Sequence, residues 1–398
     1  MRKMWKLFIV MLLVLLVACS TGEPAPLPSL EPVSVQTASL VTCPTPAQLD
    51  TDLTVATQGA IVDLAGVNPI TCPEVSMTGT WSGGSLVFSD SPETVPVRGR
   101  LYEDSFLATS GTTYNRMWVY HVNGKASGKM KLAILIKNTS ASSATLTIQK
   151  KGVAGPSTAF VTVGKLGFQR WLQSTAGTPV TVTAGTTVRL DSVSLEVLMN
   201  PGQLMHGIYD ISMTQAYKLT VCALDQNDAP LTVCPGLSVL TRDTHDRGTF
   251  PFADKVYDTA SGVSIDTAAG IQQFPLNSNS ASDPDAMGTD ATDGTAMRLH
   301  GNIGVLYRMH ILTNSTDGQN VGFVLNPRGG YWGTAVNASV GLLPGGVFLC
   351  PAAQEGLSDN TKAVVEGRYT PGGGLTPWMQ WMMTGGSNAP VRVVAVPH

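Results

Sequence analysis

A histidine, two acids and two bases lie within residues 244–255, THDRGTFPFADK, of a chain in which only 13% of the residues are charged. A histidine that contacts a nucleophile and a third, orienting group can act as a catalytic base. The candidates nearest to His245 are Thr244, Thr249 and Asp246, which are neighbours in a turn-like segment and match no catalytic motif. We therefore interpret the cluster as a structural joint, with an active site as the alternative.

If the cluster is a structural joint, each of the other residues of this segment has a predicted role. Asp243 and Asp246 are expected to accept hydrogen bonds in a turn, and Arg247 is expected to pair with one of them. A glycine then lets the chain bend. Phe250 and Phe252 stand at alternate positions and are expected to bury the first strand of a second domain.

Other catalytic motifs are not found in the sequence. It has no Gly-x-Ser-x-Gly nucleophile elbow, no phosphate-binding glycine loop that opens a helix and no His-Glu-x-x-His metal motif. A glycosidase needs two carboxylates across a groove, and no pattern pairs Glu103, Asp104, Glu355 or Glu366. We assign no catalytic residue. A polysaccharide hydrolase with a β-rich catalytic domain stays as an alternative function.

Four aspartates are spaced along the polar stretch 277–294, NSNSASDPDAMGTDATDG. Calcium takes about six to eight oxygen ligands, which a loop rich in Asp and Asn can supply. The spacing differs from that of the helix-flanked calcium loop, so a polar surface loop is the favoured interpretation. A calcium-stabilised adhesin is the alternative, and no other cofactor is expected. The metal ligands would be Asp283, Asp285, Asp290 and Asp293.

Aromatic residues are candidates for ligand binding in two places. Tyr331 and Trp332 lie in a glycine-rich loop, and Trp378 and Trp381 lie in the stretch TPWMQWMM. An exposed aromatic face can stack on the C–H surface of a sugar ring. Residues three apart on a regular strand point to opposite faces, so Trp378 and Trp381 cannot form one flat platform. Packing in the core is the alternative for all four.

The start of the chain is typical of an exported protein. Basic residues precede the apolar run 7–17, which is shorter than the roughly 20 residues of a membrane-spanning helix and suits a signal peptide. Residues 16–19, LVAC, resemble the lipobox of bacterial lipoproteins. This resemblance implies cleavage before Cys19 and its acylation, for example with palmitate, which anchors the chain to a membrane outside the cytoplasm. Ser20 then favours the outer membrane or the cell surface.

Composition predicts an all-β fold. The chain has 41 Gly and 25 Pro, its Thr, Ser and Val fall in short runs between turn signals, and we find no long helical periodicity beyond the signal segment. This pattern is typical of antiparallel sandwiches, either Ig-like or jelly-roll-like. The clearest predicted strands are 85–88, 117–122, 131–136, 144–149, 159–163, 178–182, 187–198, 216–223, 305–312, 321–325 and 391–396.

Length and proline content predict five segments. Residues 1–18 are the signal peptide, 19–40 a proline-rich tether and 41–80 an N-terminal edge segment. The rest is longer than one hydrophobic core usually organises. We therefore expect two β-sandwich domains, 81–240 and 241–398.

Two stretches of the chain are weakly similar to each other. Residues 132–160 and 307–335 each contain an apolar strand, a turn rich in Asn, Ser and Thr, a second strand and a glycine-containing loop. Asn, Ser and Thr suit a turn because their side chains bond nearby backbone groups. Each stretch therefore predicts a β-hairpin. The alternatives are two related domains or a chance likeness of hairpins.

Five cysteines follow Cys19, and their positions suggest two disulfides. Cys222 and Cys234 flank a turn, and Cys43 and Cys72 could close a loop. Each bridge would contribute about 2–4 kcal/mol in an oxidising compartment. The fifth, at position 350, is left single, and no spacing matches a zinc site.

The body of the chain resembles an exported bacterial family of all-β proteins. The similar stretches are FSDSPETVPVRGRLYED from Phe88, YHVNG from Tyr120, LAILIKNTS from Leu132 followed by KGVAGPS, and HDRGTFPFADK from His245. The resemblance implies export and a β fold and supplies no catalytic residues.

Charge sets the class of partner. A net charge of −3 with dispersed basic residues excludes nucleic acid, and a mostly uncharged polar surface suits neutral ligands. The sequence thus predicts a lipid-anchored structural and binding protein of the cell envelope or surface. Its ligand is expected to be a polysaccharide or another envelope protein.

Overall fold

Strands make up most of the structure, a computed structural model that describes residues 42–107, 112–372 and 376–398. Several of its sheets are antiparallel, and the all-β class expected from composition is confirmed. The predicted signal peptide, Cys19 and the tether lie outside the described residues.

Three α-helices are present in the described chain: α1 (Ala47–Val55), α2 (Phe160–Gln173) and α3 (Pro230–Val233). The strands up to residue 225 are β1 (Ile61–Asp63), β2 (Met77–Ser82), β3 (Ser85–Ser89), β4 (Thr94–Val95), β5 (Gly99–Phe106), β6 (Thr113–Asn123), β7 (Met130–Asn138), β8 (Ala144–Ser157), β9 (Val180–Val182), β10 (Thr187–Arg189), β11 (Leu204–Met213) and β12 (Tyr217–Asp225). Those that follow are β13 (Arg247–Phe250), β14 (Asp254–Thr259), β15 (Ile265–Asp266), β16 (Gln272–Leu276), β17 (Ala286–Asp290), β18 (Thr295–Leu299), β19 (Leu306–His310), β20 (Thr313–Asn314), β21 (Val321–Pro327), β22 (Thr334–Ala338), β23 (Gly346–Cys350), β24 (Lys362–Tyr369), β25 (Trp378–Trp381) and β26 (Val391–Pro397).

These strands form four large sheets, while β15 and β20 pair separately. Sheet I has the order β10-β7-β12-β5, and sheet II the order β18-β17-β13-β3-β6-β11-β8-β9, with β4 joined to β6. Sheet III has the order β2-β14-β19-β25-β22-β23, and sheet IV the order β1-β24-β21-β26-β16. Most neighbours are antiparallel; β3 and β4 are each parallel to β6, β14 is parallel to β19, and β15 is parallel to β20.

One hydrophobic core lies between sheets I and II. Alternate residues of β7 and β11 point into it, among them Ile134 and Ile136 from sheet I and Tyr209 and Ile211 from sheet II. The period of two follows from strand geometry, which sends successive side chains to opposite faces. Each fully buried side chain of this size contributes about 1.5–3 kcal/mol of transfer free energy.

A larger core joins the other face of sheet II to α2 and to sheets III and IV. Trp118 of sheet II, Trp171 of α2, Trp381 of sheet III and Phe323 of sheet IV all belong to it. Helix α1 covers the outer face of sheet IV. Sheet III is thereby left with one face in the core and one face outside it.

Strands from both sides of the expected boundary at residue 240 share sheets. Strands β13, β17 and β18 extend sheet II beyond β3, and β1 and β2 form edges of sheets IV and III against β24 and β14. Phe250 of β13 is buried as expected, whereas Phe252 is 40% exposed. The described residues between 42 and 398 form one compact unit. The two halves are thus joined by continuous hydrogen-bonded sheet.

Helix α2 replaces the strand that was predicted at 159–163, and the expectation that no long helix follows the signal segment was wrong. Its buried residues Val161, Lys165, Phe168 and Leu172 recur at helical spacing. The β-branched residues at its start favour a strand locally. Tertiary packing against the large core decides the outcome, because both Phe168 and Trp171 are buried there.

The two stretches predicted to be hairpins are instead crossovers between sheets. Strand β7 belongs to sheet I and β8 to sheet II, while β19 belongs to sheet III and β21 to sheet IV. The connecting Asn138 bonds to the carbonyls of Ser142 and Val182 through its side-chain amide. Turn chemistry was identified correctly, but a turn residue does not determine whether its two strands pair with each other.

Both expected disulfides are present, Cys43–Cys72 and Cys222–Cys234. Cys234 comes from the short turn after α3 rather than from a hairpin strand, and Cys350 is free and buried. Disulfides of this kind are usual in oxidising compartments. Among the described residues, we find no helix with the length and apolar character needed to cross a bilayer.

Candidate functional site

Arg247 lies at the centre of the predicted joint and is 2% exposed. Its Nε and Nη2 atoms each lie 2.9 Å from Oδ2 of Asp290, and Nη1 donates to the carbonyls of Ser91, Leu101 and Leu240. The guanidinium therefore ties together chain segments from before and after residue 240. These contacts are structural, because a buried guanidinium whose Nε and Nη atoms all donate to protein groups has no donor left for a ligand.

The expected partners of Arg247 make other contacts, so the predicted pairing of Arg247 with Asp243 or Asp246 was wrong. Asp243 accepts from the backbone N–H groups of His245 and Glu93, which confirms its role as a turn acceptor. Asp246 accepts from the backbone N–H of His300, and its Oδ1 lies 2.9 Å from Nδ1 of that residue.

A cavity of about 680 Å³ opens beside the joint and is lined in part by His245 and His300. Near it, Asp90 is buried, and its Oδ1 has no hydrogen-bond partner among the described residues. Burial, and then the negative charges of Glu93 and Asp243, raise the pKa of Asp90 well above its ordinary value. No three His, Cys, Asp or Glu side chains of the described chain are arranged to hold a metal ion. Three aspartates line the cavity, without a metal constellation among the described residues.

Ser89 and His121 have the geometry of a serine nucleophile and a histidine base. Oγ of Ser89 lies 2.9 Å from Nε2 of His121, whose Nδ1 lies 2.8 Å from the carbonyl of Pro92. Both residues are fully buried. Burial lowers the pKa of His121 to about 4, against the opposing effect of the Pro92 hydrogen bond. Without access for a substrate, the pair serves to satisfy buried polar groups.

The four aspartates of the proposed calcium loop do not converge. Each has a different basic partner: Asp283 pairs with Lys255, Asp285 with Arg298, Asp290 with Arg247 and Asp293 with Arg242. A carboxylate that already neutralises a cation in the protein offers less to a metal. The calcium interpretation of this stretch thus receives no support from the geometry.

Two of the four candidate ligand-binding aromatics are buried in the core, and the expectation of ligand binding fails for them. Trp332 is 0% and Trp381 is 1% exposed, their ring centroids are 5.5 Å apart, and Nε1 of Trp381 donates to Asn277. Tyr331 is 37% exposed and lies against Gly356. Trp378 is half-buried on the opposite face of β25 from Trp381, as the spacing predicted.

Trp378 lies in a depression of about 310 Å³ on the outer face of sheet III. His310 is directly opposite Trp378 on β19, and Arg308 is opposite Gln380, so the four side chains share one face. We call this surface the Trp378 face. The side chains of His310 and Arg308 are 57% and 42% exposed. An aromatic ring is thus surrounded by hydrogen-bonding groups on a rigid sheet.

Arg308 and His310 of the Trp378 face already have carboxylate partners in the protein. Arg308 donates to Oδ2 of Asp254 at 2.9 Å, and Nδ1 of His310 lies 3.1 Å from Oδ1 of Asp258. Gln380 accepts from the amide of Asn337 on β22 through its Oε1. Its own amide hydrogens remain directed to a ligand or to water.

A second depression, of about 300 Å³, adjoins Asp254 and includes the exposed Tyr114. Arg116 lies buried in it, with Nε 2.8 Å from Asp210 and Nη1 2.9 Å from Asp254. Two carboxylates therefore flank one guanidinium beside an open cavity. None of the acids considered at the sequence level as glycosidase residues lines this depression.

The sequence pointed to Trp378 but not to the residues around it. Arg308 and His310 alternate with buried residues in β19, which was a signal that one face of this strand meets solvent. Their position beside Trp378 depends on the pairing of two strands about 70 residues apart in the chain. Arg116 joins Asp210 to Asp254, and no local pattern encodes that contact.

The chain matches no protein-family model and no curated protein. Among solved structures, it is similar to the PBSX exported protein XepA, with 10% identity over 75% of this chain and 86% of that one, and a TM-score of 0.15. The STIV MCP shows 9% identity over 81% and 96% of the two chains, with a TM-score of 0.15. Vicilin from Solanum lycopersicum (tomato) shows 8% identity over 73% and 82%, with a TM-score of 0.11. At such TM-scores, the function has to be argued from the residues of this chain, an all-β protein with two disulfides.

Proposed function

We propose that this chain is a binding protein of the cell envelope or surface that holds neutral polysaccharide on the Trp378 face. The observation that carries the proposal is the half-buried Trp378 ring, set directly opposite His310 in an open depression of sheet III. A sugar ring would stack its C–H surface on the indole, and its hydroxyl groups would bond to the surrounding polar side chains.

A neutral ligand is favoured by the local charge balance. Arg308 and His310 each have a carboxylate partner in the protein, Asp254 and Asp258. An anionic or cationic ligand would have to compete with these pairs. A hydroxyl group can accept from Arg308 or donate to a carboxylate without breaking either pair.

The location of the protein is part of the same proposal. The lipobox-like sequence at residues 16–19 supports acylation of Cys19 and a lipid anchor at the outer membrane or cell surface. Two disulfides support an oxidising compartment. A second envelope protein is the alternative ligand for the same face.

The test is a pull-down of residues 20–398 with purified, neutral and anionic envelope polysaccharides immobilised on beads. Retention by a neutral polysaccharide, competed by its own soluble oligosaccharides, is the expected result. If no polysaccharide retains the protein, the proposed ligand class is wrong. Retention by the anionic polymers alone would also contradict the proposal.

A polysaccharide hydrolase is a second candidate, favoured by Asp210 and Asp254 around Arg116 in the adjoining depression. Glycosidases of both stereochemical classes use two carboxyl groups. The test is the release of reducing ends from any polysaccharide that binds, compared between the wild-type protein and the variants Asp210→Asn and Asp254→Asn. Release that both substitutions abolish would establish the hydrolase, and no release would exclude it for that polymer.

A further inference from the structure

Two lysines face each other on the outer surface of sheet I. Lys137 of β7 is directly opposite Lys218 of β12 in the antiparallel register. Like charges at directly opposed positions destabilise a sheet. Lysines are common on edge strands, where they prevent pairing with another chain. That explanation does not apply, because β7 and β12 are the two central strands of sheet I.

The surroundings leave this pair of lysines with an excess of positive charge. Lys218 pairs with Oε1 of Glu103 at 2.6 Å, and Oε2 of the same glutamate pairs with Arg100 at 2.9 Å. Lys137 is exposed and forms no ion pair with another described residue. The cavity that Arg100, Lys137 and Lys218 line thus contains one carboxylate, that of Glu103. The local net charge is three positive minus one negative, or +2, in a chain whose overall net charge is −3.

These residues line a cavity of about 160 Å³. Thr187 lies opposite Lys137 on the neighbouring strand β10, and Thr220 is on the same face of β12. The disulfide-bonded Cys234 and Pro235 close one side. The cavity therefore combines ammonium groups, hydroxyl groups and a wall that is fixed covalently.

We propose that this cavity, which we call the lysine-pair site, binds a single phosphate group. Lys137 and Lys218 would supply the charge, and the Thr187 hydroxyl would donate to a phosphate oxygen. A phosphate monoester carries about −1.5 to −2 at pH 7 and so balances the local charge of +2, which a single carboxylate would not. The site lies on sheet I, and the proposal does not depend on the function proposed for the Trp378 face on sheet III.

The test is the thermal unfolding of the full chain in inorganic phosphate, compared with sodium chloride at the same ionic strength. Because a ligand that binds only the folded state stabilises it, phosphate should raise the Tm in a saturable manner. Glucose 1-phosphate should act like free phosphate if the group is recognised as a monoester. Acetate should have no such effect. An unchanged Tm in both phosphate compounds overturns the proposal.

Variants separate binding from general salt effects. Lys137→Gln should weaken the affinity for phosphate about tenfold or more, as expected for the loss of a charge-assisted contact. Lys129→Gln, which removes an exposed lysine outside this cavity, should leave the affinity unchanged. If both variants respond like the wild-type protein, the phosphate effect is not located at the lysine-pair site and the proposal fails.

A second readout guards against a merely structural effect of the substitution. Lys137→Gln removes the repulsion between the two opposed lysines, so in chloride alone it should be at least as stable as the wild-type protein. Loss of the phosphate response in a fully folded variant supports the site. A marked loss of stability in chloride would instead show that Lys137 is needed for folding, and would contradict the repulsion on which the proposal rests.

Discussion

Trp378 and His310 lie directly opposite each other on β25 and β19, with their side chains on the outer face of sheet III. Their neighbours along the two strands, Met379 and Met309, are buried in the large core. Successive side chains of a strand point to opposite faces, so the buried methionines anchor both strands in the core. The indole and the imidazole are thereby held in fixed positions on the outer face. A binding face held this way needs little ordering when a ligand arrives.

Replacing the ring of Trp378 tests the proposed face directly. Trp378→Ala should weaken retention by a neutral polysaccharide about tenfold, which corresponds to the loss of one aromatic stacking contact. The Tm should fall moderately, because the ring is half-buried and its packing contacts with the sheet are lost. Affinity gels measure the first effect and thermal unfolding the second. Phe252→Ala is the matched control, since Phe252 is an aromatic residue that is 40% exposed outside the Trp378 face and should leave binding intact.

Removal of calcium should not destabilise the protein. The carboxylates at 283, 285, 290 and 293 each form an ion pair with a lysine or an arginine, so these four residues do not form a cluster that could bind a metal ion. We expect the Tm to be the same in EDTA and in excess calcium. A clear fall of the Tm in EDTA, restored by calcium but not by magnesium, would show that this stretch binds calcium after all.

The sequence was informative where the signal is local. Short runs of strand-forming residues between turn signals predicted β7 and β12, and cysteine positions predicted both disulfides. Helix α2 was missed because its packing is not local: a Cβ atom at Gly152 of β8 would come within 1.9 Å of the carbonyl oxygen of Gly167. Such close approach of helix and strand is visible only once both are placed.

The candidate site shows the same limit. Trp378 could be selected as a candidate ligand-binding aromatic by its residue type, and its position relative to Trp381 followed from the strand period. Its polar neighbours could not be predicted, because they depend on which distant strand pairs with β25. The partner of Arg247 was predicted wrongly for that reason: local acids were considered, whereas Asp290 reaches it from the end of β17.

Truncating Arg247 should be strongly destabilising. The substitution leaves the Asp290 carboxylate buried without its main partner, and breaking a buried pair in this way costs about 3–5 kcal/mol. Lys362→Ala is the control, because the side chains of Lys362 and its partner Asp359 are both 44% exposed, where about 0–1 kcal/mol is expected. Urea unfolding measures both. A double variant, Arg247→Ala with Asp290→Ala, should recover part of the lost stability. If Arg247→Ala were as stable as the control variant, the buried ion pair would not be important for stability.

Glu366 should make stability decline as pH rises. Burial raises its pKa from 4.5 to about 8, against a smaller lowering by the hydrogen bond from Cys350, and its Oε2 has no partner among the described residues. Between these two values the folded protein keeps a proton that the unfolded chain releases. The stabilisation that the protonated Glu366 carboxyl contributes to the fold is therefore complete below about pH 4.5 and is lost as pH rises toward 8.

Glu366→Gln tests this, because the amide keeps the shape and an acceptor for the Cys350 thiol but does not ionise. Relative to the wild-type protein, the variant should gain roughly 3 kcal/mol in its free energy of unfolding between pH 5 and pH 8, as measured in urea. Glu74→Gln, which alters an exposed carboxylate, should show no such gain. A constant difference between Glu366→Gln and the wild-type protein across this interval would mean that Glu366 ionises normally in the fold, and that water or a cation reaches its buried oxygen.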